Sequence, residues 1–224
     1  VKRLTQNHPQ TRTLLRATQA GIGIYSPHTA LDGVKGGVCD WLAAAMILPD
    51  DEALTLSTIR GITDHVGDEY QAIETALEDI QQGAGRRFLF SEPLSLETLC
   101  QRLDRRLNQE IGDHRQEAYL RTVTPLGASP TDIEIRSVAL CPGAGGGLFE
   151  TVDSVDLLIT GEMRHHDLLH RAQSGTSVIL TEHSRCERGY LPFYAQWIKA
   201  HTGSVVDCAQ YDDDPIRLYH SPPR

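Results

Sequence analysis

Apolar positions change period along this chain, and the changes mark its elements. Residues 9–20 open on Pro9, carry Leu14, Leu15 and Ala17, and stop before Gly21. That is the pattern of a short helix with proline in its first turn and glycine just past its end. Residues 21–25 (GIGIY) read as a short buried strand, stopped by Ser26-Pro27. Residues 37–47 predict a helix with Val38, Trp41, Leu42 and Ala45 on one face. Residues 54–62, rich in Thr, Ile and Leu, read as a strand, and Tyr70, Ile73, Leu77 and Ile80 recur at helical spacing up to Gly83. Residues 86–90 form another strand candidate. Ser95 then stands as the N-cap of an amphipathic helix carrying Leu96, Leu99, Leu103 and Leu107.

The last third alternates most regularly. Residues 119–123 and 133–140 read as strands joined by the turn-rich PLGASPTD. The strand ending at Cys141 meets a glycine-rich turn, PGAGGG. Strand 155–160, helix 163–173, strand 177–181, helix 187–201 and strand 204–208 follow. Strands spaced by helices of about ten residues predict an α/β fold with a largely parallel sheet.

Composition narrows the function classes. The 224 residues suit one large domain or two small ones. Thirty acidic against 21 basic residues give a formal net charge of −9, which excludes a general coating of nucleic-acid phosphates. No apolar run is long enough to span a membrane. The five cysteines (Cys39, Cys100, Cys141, Cys186, Cys208) are scattered, odd in number and free of C-x-x-C spacing. They suggest reduced thiols acting as small core residues rather than a disulfide frame or zinc ribbon.

Three clusters follow strand ends, where open α/β sheets place their sites. His28 and Asp32 are four apart after the first strand candidate. They read either as a turn with a capping Asp32 or as part of a site. The glycine run 143–147 is either a tight turn or an anion cradle; it lacks the lysine of a phosphate-binding loop. Glu162, His165 and His166 follow one strand, and His183 and Glu187 follow the next. An imidazole and a carboxylate four apart on one helical turn can share an ion, although a surface ion pair has the same spacing. Asp32, His28, His166, His183 and Glu187 all lie just beyond strands and are all metal-competent types.

Five ordered blocks, GIYSPHTALD, GGVCDWLA, VALCPGAGGG, DLLITGEMRHHDLL and VILTEHSRCERGYL, resemble the Nif-three-like family (NGG-one interacting factor three, with the YbgI-like GTP cyclohydrolase one type two homologues). The wording of the last two is closer to the eukaryotic members. The resemblance implies a single domain over 1–224 with two intertwined α/β halves, whose mixed, largely parallel sheets are flanked by helices. Residues 49–84 would form a variable connection too short for the domain that many members insert there. It implies Asp32, His183 and Glu187 as metal ligands for Zn, Fe or Mn, with up to two ions in the complete site. His28 and His166 are the residues expected to move protons, and Glu162 belongs to the same block. A His-His block of the family belongs upstream of the segment matched by VKRLTQ. His8-Pro9 lies downstream of that place and is not taken as its substitute. The implied function is a metal-dependent hydrolase acting on a nucleotide-like or heterocyclic substrate. The alternative is a regulatory protein that binds a transcriptional adaptor. A homo-oligomer, either a hexameric ring or a dimer, in the cytoplasm and also the nucleus, completes the expectation.

Overall fold

A computed structural model describes residues 3–66, 69–76, 79–111, 120–209 and 216. The chain divides into two compact units, Val1–Ala30 and Leu31–Arg224.

The first unit is built around α1 (Pro9–Gln19). Thr11 is its buried residue, and its hydroxyl bonds back to the carbonyls of Thr5 and His8. Gly21 N–H reaches Thr18 O at 3.1 Å, and Ile22 N–H reaches Ala17 O at 2.9 Å. With Gly21 at φ 70°, these two bonds make a Schellman cap. The cap consumes the start of the strand expected over 21–25, and that strand does not form. Ile22, Ile24 and Tyr25 are exposed instead.

The second unit holds a five-stranded mixed sheet in the order β3-β5-β6-β7-β4 and a two-stranded ribbon, β1 (Glu74–Ala76) with β2 (Asp79–Ala84). The strands of the main sheet are β3 (Arg86–Ser95), β4 (Arg121–Val123), β5 (Glu134–Cys141), β6 (Leu157–Thr160) and β7 (Ser177–Leu180). β5, β6 and β7 run parallel, while β3 and β4 flank them antiparallel. The expectation of a largely parallel sheet is thus met at its centre and not at its edges.

Helices cover both faces, so β6 and β7 are buried throughout, as parallel strands require. Leu157, Ile159 and Ile179 face a core with α3 (Val38–Ile47), α6 (Leu96–Ile111) and α9 (Leu191–Thr202). Leu158, Val178 and Leu180 face a second core with Phe149 and Val152. Leu168 of α7 (His165–Gln173) packs there too.

Every residue of α3 is buried, not only the expected face. Arg102 and Arg106 of α6 reach its far end, donating to Met46 O at 2.7 Å and Pro49 O at 2.5 Å. Arg102 thus satisfies a carbonyl of the last helical turn, which the helix end leaves without an intrahelical partner, and Arg106 ties down the loop just past it. The α6 forecast holds: Ser95 Oγ accepts the Thr98 N–H at 3.1 Å, and the four leucines are buried.

Four further local readings change. Residues 54–62 form α4 (Leu56–Arg60), because Thr55 and Thr58 make a reciprocal capping box. The helical spacing after Tyr70 resolves into the β1–β2 ribbon, preceded by a bridge between Gln71 and Arg87; Leu77 lies outside the described residues. The helix expected over 187–201 is two, α8 (Arg185–Arg188) and α9. Residues 204–208 make no strand. The remaining helices are α2 (Thr29–Gly33) and α5 (Thr63–Val66). No helix among the described residues is long and apolar enough to cross a membrane.

A candidate metal site at the carboxyl ends of the parallel strands

The central strands deliver three turns to one edge of the sheet. β5 ends at Cys141 and enters the glycine run. β6 ends at Thr160 and passes through Gly161 to Glu162. β7 ends at Leu180 and passes through Thr181 and Glu182 to His183 and α8.

These turns interlock at their glycines. Gly143 has φ 64°, and a Cβ there would stand 2.8 Å from Glu187 Oε1 and 3.1 Å from His183 Nε2. A Cβ on Gly161 would meet Gly143 O and His183 Cα, each at 2.7 Å. Neither position has room for a larger residue unless the neighbours move. Two of the loop amides are committed internally: Gly143 N–H to Cys186 Sγ at 3.1 Å and Gly145 N–H to Thr160 Oγ1 at 2.9 Å. Of the two readings of the glycine run, the tight turn is the one these bonds describe.

His183 sits between two carboxylates. Its Nδ1 is 2.9 Å from Glu162 Oε1, and its Nε2 is 3.4 Å from Glu187 Oε1. If Nδ1 donates its proton to Glu162, the Nε2 lone pair faces a carboxylate oxygen. Two lone pairs at that separation call for a cation between them, either a second proton or a metal ion. Two adjacent ligands at about 2.1 Å from one ion stand roughly 3.0–3.4 Å apart, so this pair fits two corners of a metal site. A carboxylate on the far nitrogen is the arrangement that orients metal-binding imidazoles.

Asp32 lies on α2, half-buried. Burial pushes the Cys141 thiol up to about 12, and the negative charges of Asp32 and Glu187 add to the push. Asp32 and Glu187 are therefore both within electrostatic reach of Cys141. Cys186 is also pushed up to about 12, chiefly by burial, with the Gly143 N–H acting against it. At neutral pH both thiols are protonated packing groups. Among the described residues, no three His, Cys, Asp or Glu side chains converge as a ready metal cluster.

The structure thus gathers His183, Glu187 and Glu162, with Asp32 in electrostatic reach of Cys141. His166 is exposed on α7, and its ring lies edge-on to His165 at 5.9 Å. His28 belongs to the first unit, exposed, with φ 47°. His28 and Glu182 (φ 64°) are the non-glycine residues with left-handed backbone among those described. Such strain costs about 1–2 kcal/mol per residue and collects at functional sites. Its occurrence in the His28 block and beside His183 marks the same two blocks that the sequence singled out.

A buried network secures the segment after Asp32. Arg86, fully buried, donates from Nε to Asp40 Oδ1 at 2.5 Å and from Nη1 to the carbonyls of Gly83 and Gly85. Tyr70 Oη donates to the same Asp40 oxygen at 2.7 Å. Gly36 N–H donates to Asp40 Oδ2, and Tyr190 Oη donates to Gly36 O. Burial is the largest single influence on Arg86 and lowers its affinity for its proton, but the Asp40 charge, the neighbouring Cys39 and Tyr70 and the Asp40 hydrogen bond together raise it. Sequence reading missed Arg86, the role of Asp40, and Arg121, whose guanidinium meets the Glu182 carboxylate at 2.7 Å, because each acts on a residue distant in the chain.

Known proteins are similar to this chain in sequence and in fold. The chain is 32% identical over 215 residues to NGG1-interacting factor 3 of Saccharomyces cerevisiae, covering 94% of this chain and 67% of that protein. It is 34% identical over 191 residues to Protein NIF3 homolog of Schizosaccharomyces pombe, covering 85% of this chain and 60% of that one. The fold matches Staphylococcus aureus hypothetical protein SA1388 with a TM-score of 0.66 at 18% identity, over 98% of this chain and 76% of that one. The family model described as Duf34/NIF3 (NGG1p interacting factor 3) matches residues 1–215, and the chain belongs to that family.

Proposed function

We propose that this protein binds a divalent transition metal at the carboxyl ends of β5–β7 and uses it to hydrolyse a nucleotide-like or heterocyclic substrate. The observation that carries the reading is the His183 imidazole flanked by two carboxylates, with Nε2 and Glu187 Oε1 at 3.4 Å. Asp32, His183 and Glu187 would hold the ion, and Zn, Fe or Mn suits this set of nitrogen and oxygen donors. When bound, such an ion lowers the pKa of its water and polarises the bond to be cleaved. Glu162 fixes the His183 ring through Nδ1. Of the two residues expected to move protons, His166 stands on the same unit as these ligands and is proposed to do so. The two interlocked glycines keep the turns close and leave the His183–Glu187 pair little freedom to drift.

Elemental analysis of the purified full-length protein tests this. The expected result is a stoichiometric transition metal that is lost in Asp32→Ala and in His183→Ala. Absence of stoichiometric metal, with no effect of either substitution, would overturn it. A second reading, a regulatory protein that binds a protein partner, is favoured by the name of the budding-yeast relative, NGG1-interacting factor 3. Pull-downs in which His183→Ala captures partners as well as the wild type, alongside no turnover of any nucleotide, would favour that reading.

A further inference from the structure

Glu182 holds a left-handed backbone at the residue just before His183. Glycine takes that conformation without steric cost, whereas a glutamate Cβ is crowded there. The Glu182 side chain is 23% exposed, and its carboxylate meets Arg121 Nη2 at 2.7 Å. Arg121 stands on β4, whose antiparallel pairing with β7 sets it opposite Leu180, two residues before Glu182. A strand of fixed register therefore carries the cation that meets the strained residue. The backbone direction at 182 decides where His183 leaves the sheet. The close approach of Gly161 to the His183 backbone, and of Gly143 to its ring, leaves little room for another exit.

We infer that Arg121 and Glu182 are a positioning pair, whose ion contact holds the left-handed turn that aims His183 at Glu187. The inference rests on the metal-binding reading of His183 given above. An ion pair at the surface contributes little to folding, so this pair acts on the placement of one ring rather than on the stability of the sheet. The sequence choice is consistent with that role. A glycine would permit the turn but would not enforce it, because it permits many other turns equally.

Two readouts test the pair in the full-length protein: calorimetric titration with Zn²⁺, and the NMR contact between the His183 ring Hε1 and Gly143 Hα in the metal-free state. Glu182→Ala and Arg121→Met are expected to weaken Zn²⁺ binding by about two- to fivefold and to diminish the ring contact. Glu182→Gly, which takes the turn without the clamp, is expected to restore most of both. Arg121→Met is then expected to have no further effect in the Glu182→Gly background. Unchanged affinity and ring contact in Glu182→Ala and Arg121→Met would overturn the inference. So would a Glu182→Gly protein as impaired as Glu182→Ala. If the wild type binds no Zn²⁺, the ring contact alone decides the positioning role, and elemental analysis separately decides the metal reading. Arg121 is 62% exposed, so Arg121→Met keeps the test open should Glu182→Ala not fold.

Discussion

The two ends of the parallel strands use carboxylates in opposite ways. At the amino end, Asp156 Oδ2 accepts the Arg136 N–H at 3.0 Å, the Ser137 N–H at 2.8 Å and the Ser137 hydroxyl at 2.8 Å. Its own N–H returns to Ser137 Oγ, and its carbonyl takes the Ser177 N–H. One residue thus joins the starts of β5, β6 and β7, with its charge surrounded by donors. At the carboxyl end, Glu162 and Glu187 face one imidazole, beside a left-handed Glu182 and two glycines with no room for a side chain. A carboxylate among N–H groups lowers the energy of the folded chain by itself. Carboxylates gathered around an imidazole are the arrangement that the proposed metal site would use. The first end holds the fold, and the second carries the candidate site.

Substitutions that separate these roles sharpen the comparison. The largest loss of stability is expected from Gly161→Ala, about 3 kcal/mol in denaturant unfolding, because the new Cβ meets backbone atoms on both neighbouring turns. Asp156→Ala should cost about 2 kcal/mol by leaving several donors without an acceptor, yet leave metal content unchanged. His183→Ala should do the reverse, abolishing metal binding while stability moves by no more than about 0.5 kcal/mol. If His183→Ala unfolds the protein and Asp156→Ala does not, the two ends have been assigned the wrong way round.

Proton titration provides finer tests. Burial pushes the Asp156 carboxyl up, but its hydrogen bonds to Ser137 and Arg136 outweigh burial and hold it below the ordinary 3.8. Its stabilising contribution is complete above that value and lost as the pH falls further. Unfolding curves of Asp156→Asn should lack this step. Cys141 and Cys186 move the other way, from 9.0 to about 12. Their burial stabilises the fold fully below pH 9 and loses that effect as the pH rises from 9 towards 12. The smallest effect is kinetic. At pH 8 an alkylating reagent should modify exposed Cys208 first, with Cys141 and Cys186 protected until unfolding. Mass mapping of the labelled peptides reads that order.

Much of the second unit was legible because its signals are local. Ser95 caps its own helix, the α6 leucines repeat along one stripe, and β5, β6 and β7 are short apolar runs between helices. His183 and Glu187 were legible because helical spacing puts them together. What failed was decided by competing local bonds or by distant partners. The Thr55–Thr58 capping box overrode the β-branched character of 54–62. The Schellman cap took Gly21 and Ile22 from an expected strand. Alternate burial at Tyr70 and Ala72 shows the period-two pattern that helical spacing at Ile73 had masked. Arg121, Arg86 and Asp40 carried no signal, since their partners are brought near only by the folded sheet. Glu182 was visible as a charge after a strand, but its backbone conformation was not.

The fully buried α3 gives the molecule an internal clock for exchange with solvent. Its interior amides are sealed on every side, and Arg102 and Arg106 hold its far end and the loop that follows. In heavy water they should trade their hydrogens only when the whole second unit opens. The amides around Glu182 and His183 border exposed side chains and should trade through smaller openings. The ratio of the two rates would then measure how much looser the candidate site is than the body that carries it.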